Sequence, residues 1–159
     1  MAKNLRGFTV IEIILTMSVF LILLTIVTLN LNTARTQATL STTVETLLAD
    51  LGQQQLKAMI GDTEGRTESD TYGIHFEADT YTLFHGTYSD SEASNFSLDL
   101  PDTQQISSTF ADDEIIFEQG SGEILNYDAD EDTITVQEPA TGQQRTIELN
   151  RYGVVTGVN

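Results

Sequence analysis

From Phe8 to Leu31 the chain is apolar at almost every position: FTVIEIILTMSVFLILLTIVTLNL. These 24 residues would form a helix of about 36 Å, enough to cross a bilayer core of about 30 Å. The polar residues among them are mostly Thr and Ser, whose hydroxyls bond back to the helix's own carbonyls. Beyond this run the apolar residues thin to one face. Leu40, Val44, Leu47, Leu48, Leu51, Gln55, Ala58 and Met59 recur at helical spacing. No proline occurs before Pro101. The pattern predicts one helix from about Thr9 to about Ile60, roughly 75–80 Å long, stopped by Gly61-Asp62. Its first half suits a membrane and its second half suits packing on a sheet. Gly52 weakens it by about 1 kcal/mol relative to Ala but leaves room for close packing.

After a polar stretch at 62–71, the period changes to two. Tyr72, Ile74 and Phe76 alternate with Gly73, His75 and Glu77; Ala78-Asp79-Thr80 turns, and Tyr81–His85 returns as the partner of a hairpin. Residues 87–103 are acidic and Ser-rich, a surface loop with one short strand around Phe96–Leu100. Ile115–Phe117 reads as a buried strand, followed by the Gly120–Gly122 turn and a further strand at Glu123–Tyr127. Thr133–Gln137 and Arg145–Leu149 form a second hairpin about Pro139–Gly142. Asn150–Gly153 turns into Val154-Val155. The expectation is an α+β chain: a long N-terminal hydrophobic helix packed on an antiparallel β-sheet domain.

Composition changes the picture in two ways. The 159 residues include no cysteine, which excludes disulfides, thiolate metal sites and a cysteine nucleophile. The formal charge of −17 is unevenly spread. Residues 1–7 hold Lys3 and Arg6 and no acid, whereas from Thr36 onward 4 basic residues face 23 acidic ones, a net −19. Such a surface repels phosphate backbones, so no nucleic-acid partner is expected. It suits solubility in a salty medium, or divalent cations and basic partners.

Lys3 and Arg6 ahead of the apolar run orient the N-terminus to the cytoplasm, with the acidic domain outside. A cleaved secretory signal has a core of about 7–15 residues and a small-x-small site; this core is longer, and Asn30–Arg35 fits such a site poorly. A plain signal anchor fits length and charge but leaves Glu12 unexplained. A carboxylate in a spanning helix costs on the order of 2.5–3.5 kcal/mol at mid-membrane and less near the end. Either Glu12 reaches the interface and does nothing, or it has a partner.

The string Gly7-Phe8-Thr9-Val10-Ile11-Glu12, with Lys3 and Arg6 ahead and an apolar helix behind, resembles the processing motif of type IV pilins and type II secretion pseudopilins. The resemblance implies that a prepilin peptidase cuts between Gly7 and Phe8 on the cytoplasmic side and methylates the new amine of Phe8. It implies that the apolar helix is retained and packs among its neighbours in a filament core, Glu12 pairing with the Phe8 amine of an adjacent subunit. A second likeness lies further on. Leu47–Leu51 with Leu56–Ala58, then IIFEQGSGEI, then ITVQEPATGQQRTIELNRYGVV, are similar to the H-type minor pseudopilins. There a strand carrying Ile116-Phe117 and Gly120 precedes a hairpin that ends in an Asn-x-x-Gly turn, here Asn150 and Gly153. The Arg usual after the Leu-rich helical turn is missing; Gln53–Gln55 occupy its region.

On this reading residues 1–7 are a cleaved leader, 8–31 the membrane or filament-core helix, 32–61 its amphipathic continuation and 62–159 an extracytoplasmic β domain. The expected function is that of a non-enzymatic minor pseudopilin or minor pilin at the inner membrane. Its partners are prepilin peptidase, other pilin subunits and the inner-membrane assembly platform, and no cofactor is expected. The alternative is a signal-anchored extracytoplasmic binding domain that does not polymerise. Three weaker constellations remain. Asp128, Asp130 and Asp132 have the spacing of the front of a calcium loop but lack its Gly and terminal Glu, and read as a solvated tip. His75 and His85 face each other across the first hairpin if its strands pair in simple register, a two-ligand set short of a metal site. Asp112-Asp113-Glu114 reads as a solvated charge run.

Overall fold

A computed structural model describes residues 8–159, leaving out the side chains at 29, 30, 32 and 33. The chain divides into two compact units, one ending at Thr36 and the other running from Gln37 to Asn159. Helix α1 occupies Val10–Ile60. It stops where the sequence expects: Gly61 takes φ +64°, Asp62 N–H donates to the Lys57 carbonyl at 3.0 Å and Gly61 N–H to that of Ala58 at 3.2 Å. This paired closure caps the last carbonyls, and glycine adopts the left-handed φ at least cost.

Within the second unit, eight strands form two antiparallel four-stranded sheets rather than the single sheet expected. The first comprises β1 (Tyr72–Phe76), β2 (Thr80–His85), β3 (Phe96–Asp99) and β5 (Glu114–Phe117), in the order β3-β2-β1-β5. The second comprises β4 (Gln105–Ser108), β6 (Thr133–Glu138), β7 (Gln143–Leu149) and β8 (Val155–Val158), in the order β4-β6-β7-β8. Strand β4 was not foreseen: it has one large apolar residue, Ile106, and is held by pairing with β6, Ile106 opposite Val136. Conversely, the strand expected at Glu123–Tyr127 reduces to a single bridge between Phe117 and Ile124. Asn126, at φ +53°, turns the chain away.

The core joins the second half of α1 to both sheets. Leu40, Val44, Leu47, Leu51 and Ala58 are buried with Tyr72, Ile74, Phe76, Ile115 and Phe117 from the first sheet and Ile134, Val136, Ile147 and Leu149 from the second. Period-two burial is clear in β6, where Ile134, Val136 and Glu138 point inward, and Ile134 stands directly opposite Ile147. The helical stripe is nearly the one expected, with two differences. Met59 is half-exposed, and the fully buried glutamine is Gln54, not Gln55. Gly52 is not a close-packing site, for no atom lies within 4 Å of where a Cβ would stand.

Candidate functional site

Val10–Thr28 is a helix long and apolar enough to cross a membrane, with mean hydropathy 2.7 and none of the span buried. Its large side chains stand at least half exposed, up to 75 % at Val10 and Ile11. Its hydroxyls are turned back onto the helix: Thr16 to the Glu12 carbonyl at 2.9 Å, Ser18 to Ile14 at 2.7 Å, Thr25 to Leu21 at 2.9 Å and Thr28 to Leu24 at 2.8 Å. The segment therefore presents hydrocarbon on every side and no unmet backbone or hydroxyl donor along these turns. An apolar surface on this scale is stable only in lipid or against other apolar surfaces.

Glu12 lies in the first turn of α1. Its N–H donates to Thr9 Oγ1 at 3.4 Å, while the Thr9 N–H donates to Glu12 Oε2 at 3.4 Å. This is a reciprocal capping box, which satisfies two donors that a helix N-terminus leaves open. A negative charge there also suits the positive end of the helix dipole. The motif Thr-x-x-Glu before an apolar run was present in the sequence, and its capping role went unread. Both bonds are long, so the cap uses a small share of the carboxylate's acceptor capacity and leaves room for a cationic donor. Of the residues expected at the processing site, Phe8 is described and exposed; Lys3, Arg6 and Gly7 lie outside the described residues.

The two segments that carry the second likeness meet at the end of α1. Gln55 Nε2 donates to the Gly122 carbonyl at 2.9 Å and the Tyr152 carbonyl at 2.6 Å, tying the helix to both turns. Gly120 N–H donates to Ala58 O at 2.9 Å, and Ile124 N–H to Arg151 O at 2.8 Å. Asn150 shapes the second turn, its Oδ1 accepting from Tyr152 N–H at 3.0 Å and Val154 N–H at 3.1 Å. The contacts of this corner are those of a structural joint.

The histidines do not face each other. The Glu77–Asp79 turn sets a register that pairs His75 with Thr82 and Tyr72 with His85, placing the two rings on opposite faces of the hairpin. His75 stacks on Tyr88 at 3.9 Å between centroids and lies 3.4 Å from Glu114. Burial pushes the Glu114 carboxyl above its ordinary value, against the pull of His75. This corrects the reading of Glu114 as part of a solvated charge run: it is the first residue of β5 and pairs with His75. The Tyr88 hydroxyl is pushed up to about 12 by desolvation and by its hydrogen bond to Asp90. His85 instead meets Arg66 Nη1 and lies 3.7 Å from Asp70.

Two of the three aspartates at the tip make local bonds: Asp128 Oδ1 accepts from Asp130 N–H at 3.0 Å, and Asp132 Oδ2 accepts from Tyr127 Oη at 3.3 Å. Among the described residues no group of three or more His, Cys, Asp or Glu converges to hold a metal. No family model matches the chain, and neither the curated proteins nor the solved structures yield a match.

Proposed function

We propose that this chain is a minor subunit of a pilus-like filament, of the pseudopilin or minor-pilin kind, with no catalytic role. The observation that carries the reading is the exposed apolar helix that starts directly after Gly7-Phe8 with an acid in its first turn. In this scheme prepilin peptidase cleaves between Gly7 and Phe8 and methylates Phe8. The helix is stored in the inner membrane, N-terminus in the cytoplasm, and then moves into a filament core built from the helices of other subunits. Both surroundings are apolar, so the exchange costs little hydrophobic energy. Glu12 supplies what hydrocarbon contact cannot, a register. An unpaired carboxylate in the filament core is costly, so only positions that bring it to a neighbour's Phe8 amine are permitted. The acidic second unit stays in water outside.

A second reading is favoured by one specific observation. The Thr9–Glu12 cap gives the acid a local use that requires no neighbour, which suits a signal-anchored extracytoplasmic binding domain. Mass spectrometry of the N-terminus of the protein recovered from its native membrane separates the two. The filament reading expects an N-methylated Phe8 start; retention of Met1, or a cut near Ala34, would refute it.

A further inference from the structure

One cation of the second unit is left without an anion. From Thr36 onward 4 basic residues stand among 23 acidic ones. Three of the four are paired: Lys57 with Glu64 at 2.6 Å, Arg66 with Asp70 at 3.6 Å and Arg151 with Glu123 at 2.6 Å. The Arg145 guanidinium makes no hydrogen bond or ion pair among the described residues. Nor is it a freely solvated surface charge. Arg145 stands directly opposite Val136, which is fully buried, so both project from the core-facing side of the second sheet, and Arg145 is half-buried there. It lines a groove of about 310 Å³ with Val44 and Leu48 of α1 and Val158 of β8. Glu45 lines the same groove and still does not pair with it. Arg145 also lines a second groove, of about 160 Å³, with Leu40, three glutamines and no acid.

The backbone beside this groove is open as well. β8 is the last strand of its sheet. Thr146 and Asn159 exchange both backbone bonds, each at 3.0 Å, so the next residue, Val158, turns its N–H and C=O to the free edge. Its side chain is 45 % exposed and lines the groove. We propose that this margin is a docking site for an extended segment of a partner protein that presents one carboxylate beside an apolar residue. The carboxylate accepts two N–H groups of the Arg145 guanidinium, whose planar fork matches it. The apolar residue covers Leu48 and Val158, and the segment's backbone bonds to that of Val158 along the sheet edge. The net charge of −19 repels a strongly acidic segment and disfavours a second copy of this chain. The occupant's single carboxylate therefore stands among apolar or basic residues. The proposal rests on the second unit alone and is independent of the filament reading.

The test uses the full chain in detergent micelles and follows the Arg145 Nε–H and the Val158 amide by NMR. The probes are N-acetyl-Lys-Val-Glu-Val-Lys-amide, its counterpart with Gln in place of Glu, and sodium acetate, all at matched ionic strength. The expected result is a saturable shift of both resonances with the Glu peptide and binding weaker by about fivefold or more with the Gln peptide. In Arg145→Gln the two peptides should bind alike, at the level of the Gln peptide on the unaltered chain. Equal affinities on the unaltered chain, no saturable shift with either peptide, or a preference for Glu that survives Arg145→Gln would overturn the proposal. The first two comparisons need no variant, so they decide even if Arg145→Gln fails to fold. A shift at Arg145 without one at Val158 would overturn the extended pose along β8. Acetate binding as tightly as the Glu peptide would overturn the partner assignment in favour of a free small anion.

Discussion

Replacing Gly153 by Ala tests the joint between α1 and the two turns most directly. Gly153 has φ +67°, and a Cβ there would stand 2.5 Å from Gln55 Nε2 and 2.9 Å from Phe117 Cε1. Three costs follow. The left-handed backbone costs an alanine about 1–2 kcal/mol. Gln55 must swing away and give up its bonds to Gly122 and Tyr152, each worth about 0.5–1.5 kcal/mol. Phe117, 1 % exposed, has little room to yield. The sum is about 2–5 kcal/mol. Gly142→Ala is the matched control, for Gly142 has φ +69° and nothing within 4 Å of the new Cβ, leaving the backbone cost alone. The difference between the two variants should be about 1–3 kcal/mol. Urea unfolding of the full chain in detergent reads it. All five tyrosines lie between residues 72 and 152 and there is no tryptophan, so tyrosine fluorescence reports the second unit selectively. A Gln55→Ala background should remove much of the excess cost of Gly153→Ala, as a double-mutant cycle would show. If Gly153→Ala costs no more than Gly142→Ala, the Gln55 joint is not what holds this corner.

Other outcomes follow from the same geometry. Gly52→Ala should stabilise the second unit by about 1 kcal/mol, since it raises helix propensity and meets no atom within 4 Å; lower stability in the same urea assay would show a contact there after all. Glu12→Gln separates capping from charge, because Gln serves in a capping box but cannot pair with an amine. It should keep N-terminal processing and membrane insertion yet co-purify poorly with neighbouring filament subunits, and normal co-purification would leave Glu12 as a cap and nothing more. Burial, with help from the hydrogen bond to Asp50, pushes the Tyr81 hydroxyl well above 10, its ordinary value. The folded state then keeps a proton that the unfolded chain releases, so this contribution is whole below pH 10 and shrinks as pH rises beyond it. Tyr81→Phe should lessen the alkaline loss of stability in urea titrations at pH 7 and above pH 10; an unchanged loss would contradict the assigned burial.

Much of this architecture is local and therefore readable along the chain. Apolar spacing of 3.6 marks α1, Gly61 marks its end, and alternation about Ala78–Thr80 and Pro139–Gly142 marks two hairpins, because each signal lies within a few residues of what it controls. The Thr9–Glu12 cap was equally local. The remaining features depend on partners far along the chain. Gln105–Ser108 has little strand character of its own and becomes a strand by bonding to β6. Glu123–Tyr127 has that character and loses it after the single Phe117–Ile124 bridge, because Asn126 turns the chain away. The division into two sheets and the burial of Gln54 instead of Gln55 follow from registers and packing set across the core. Periodicity says which face of an element is apolar; it does not say which distant element will cover it.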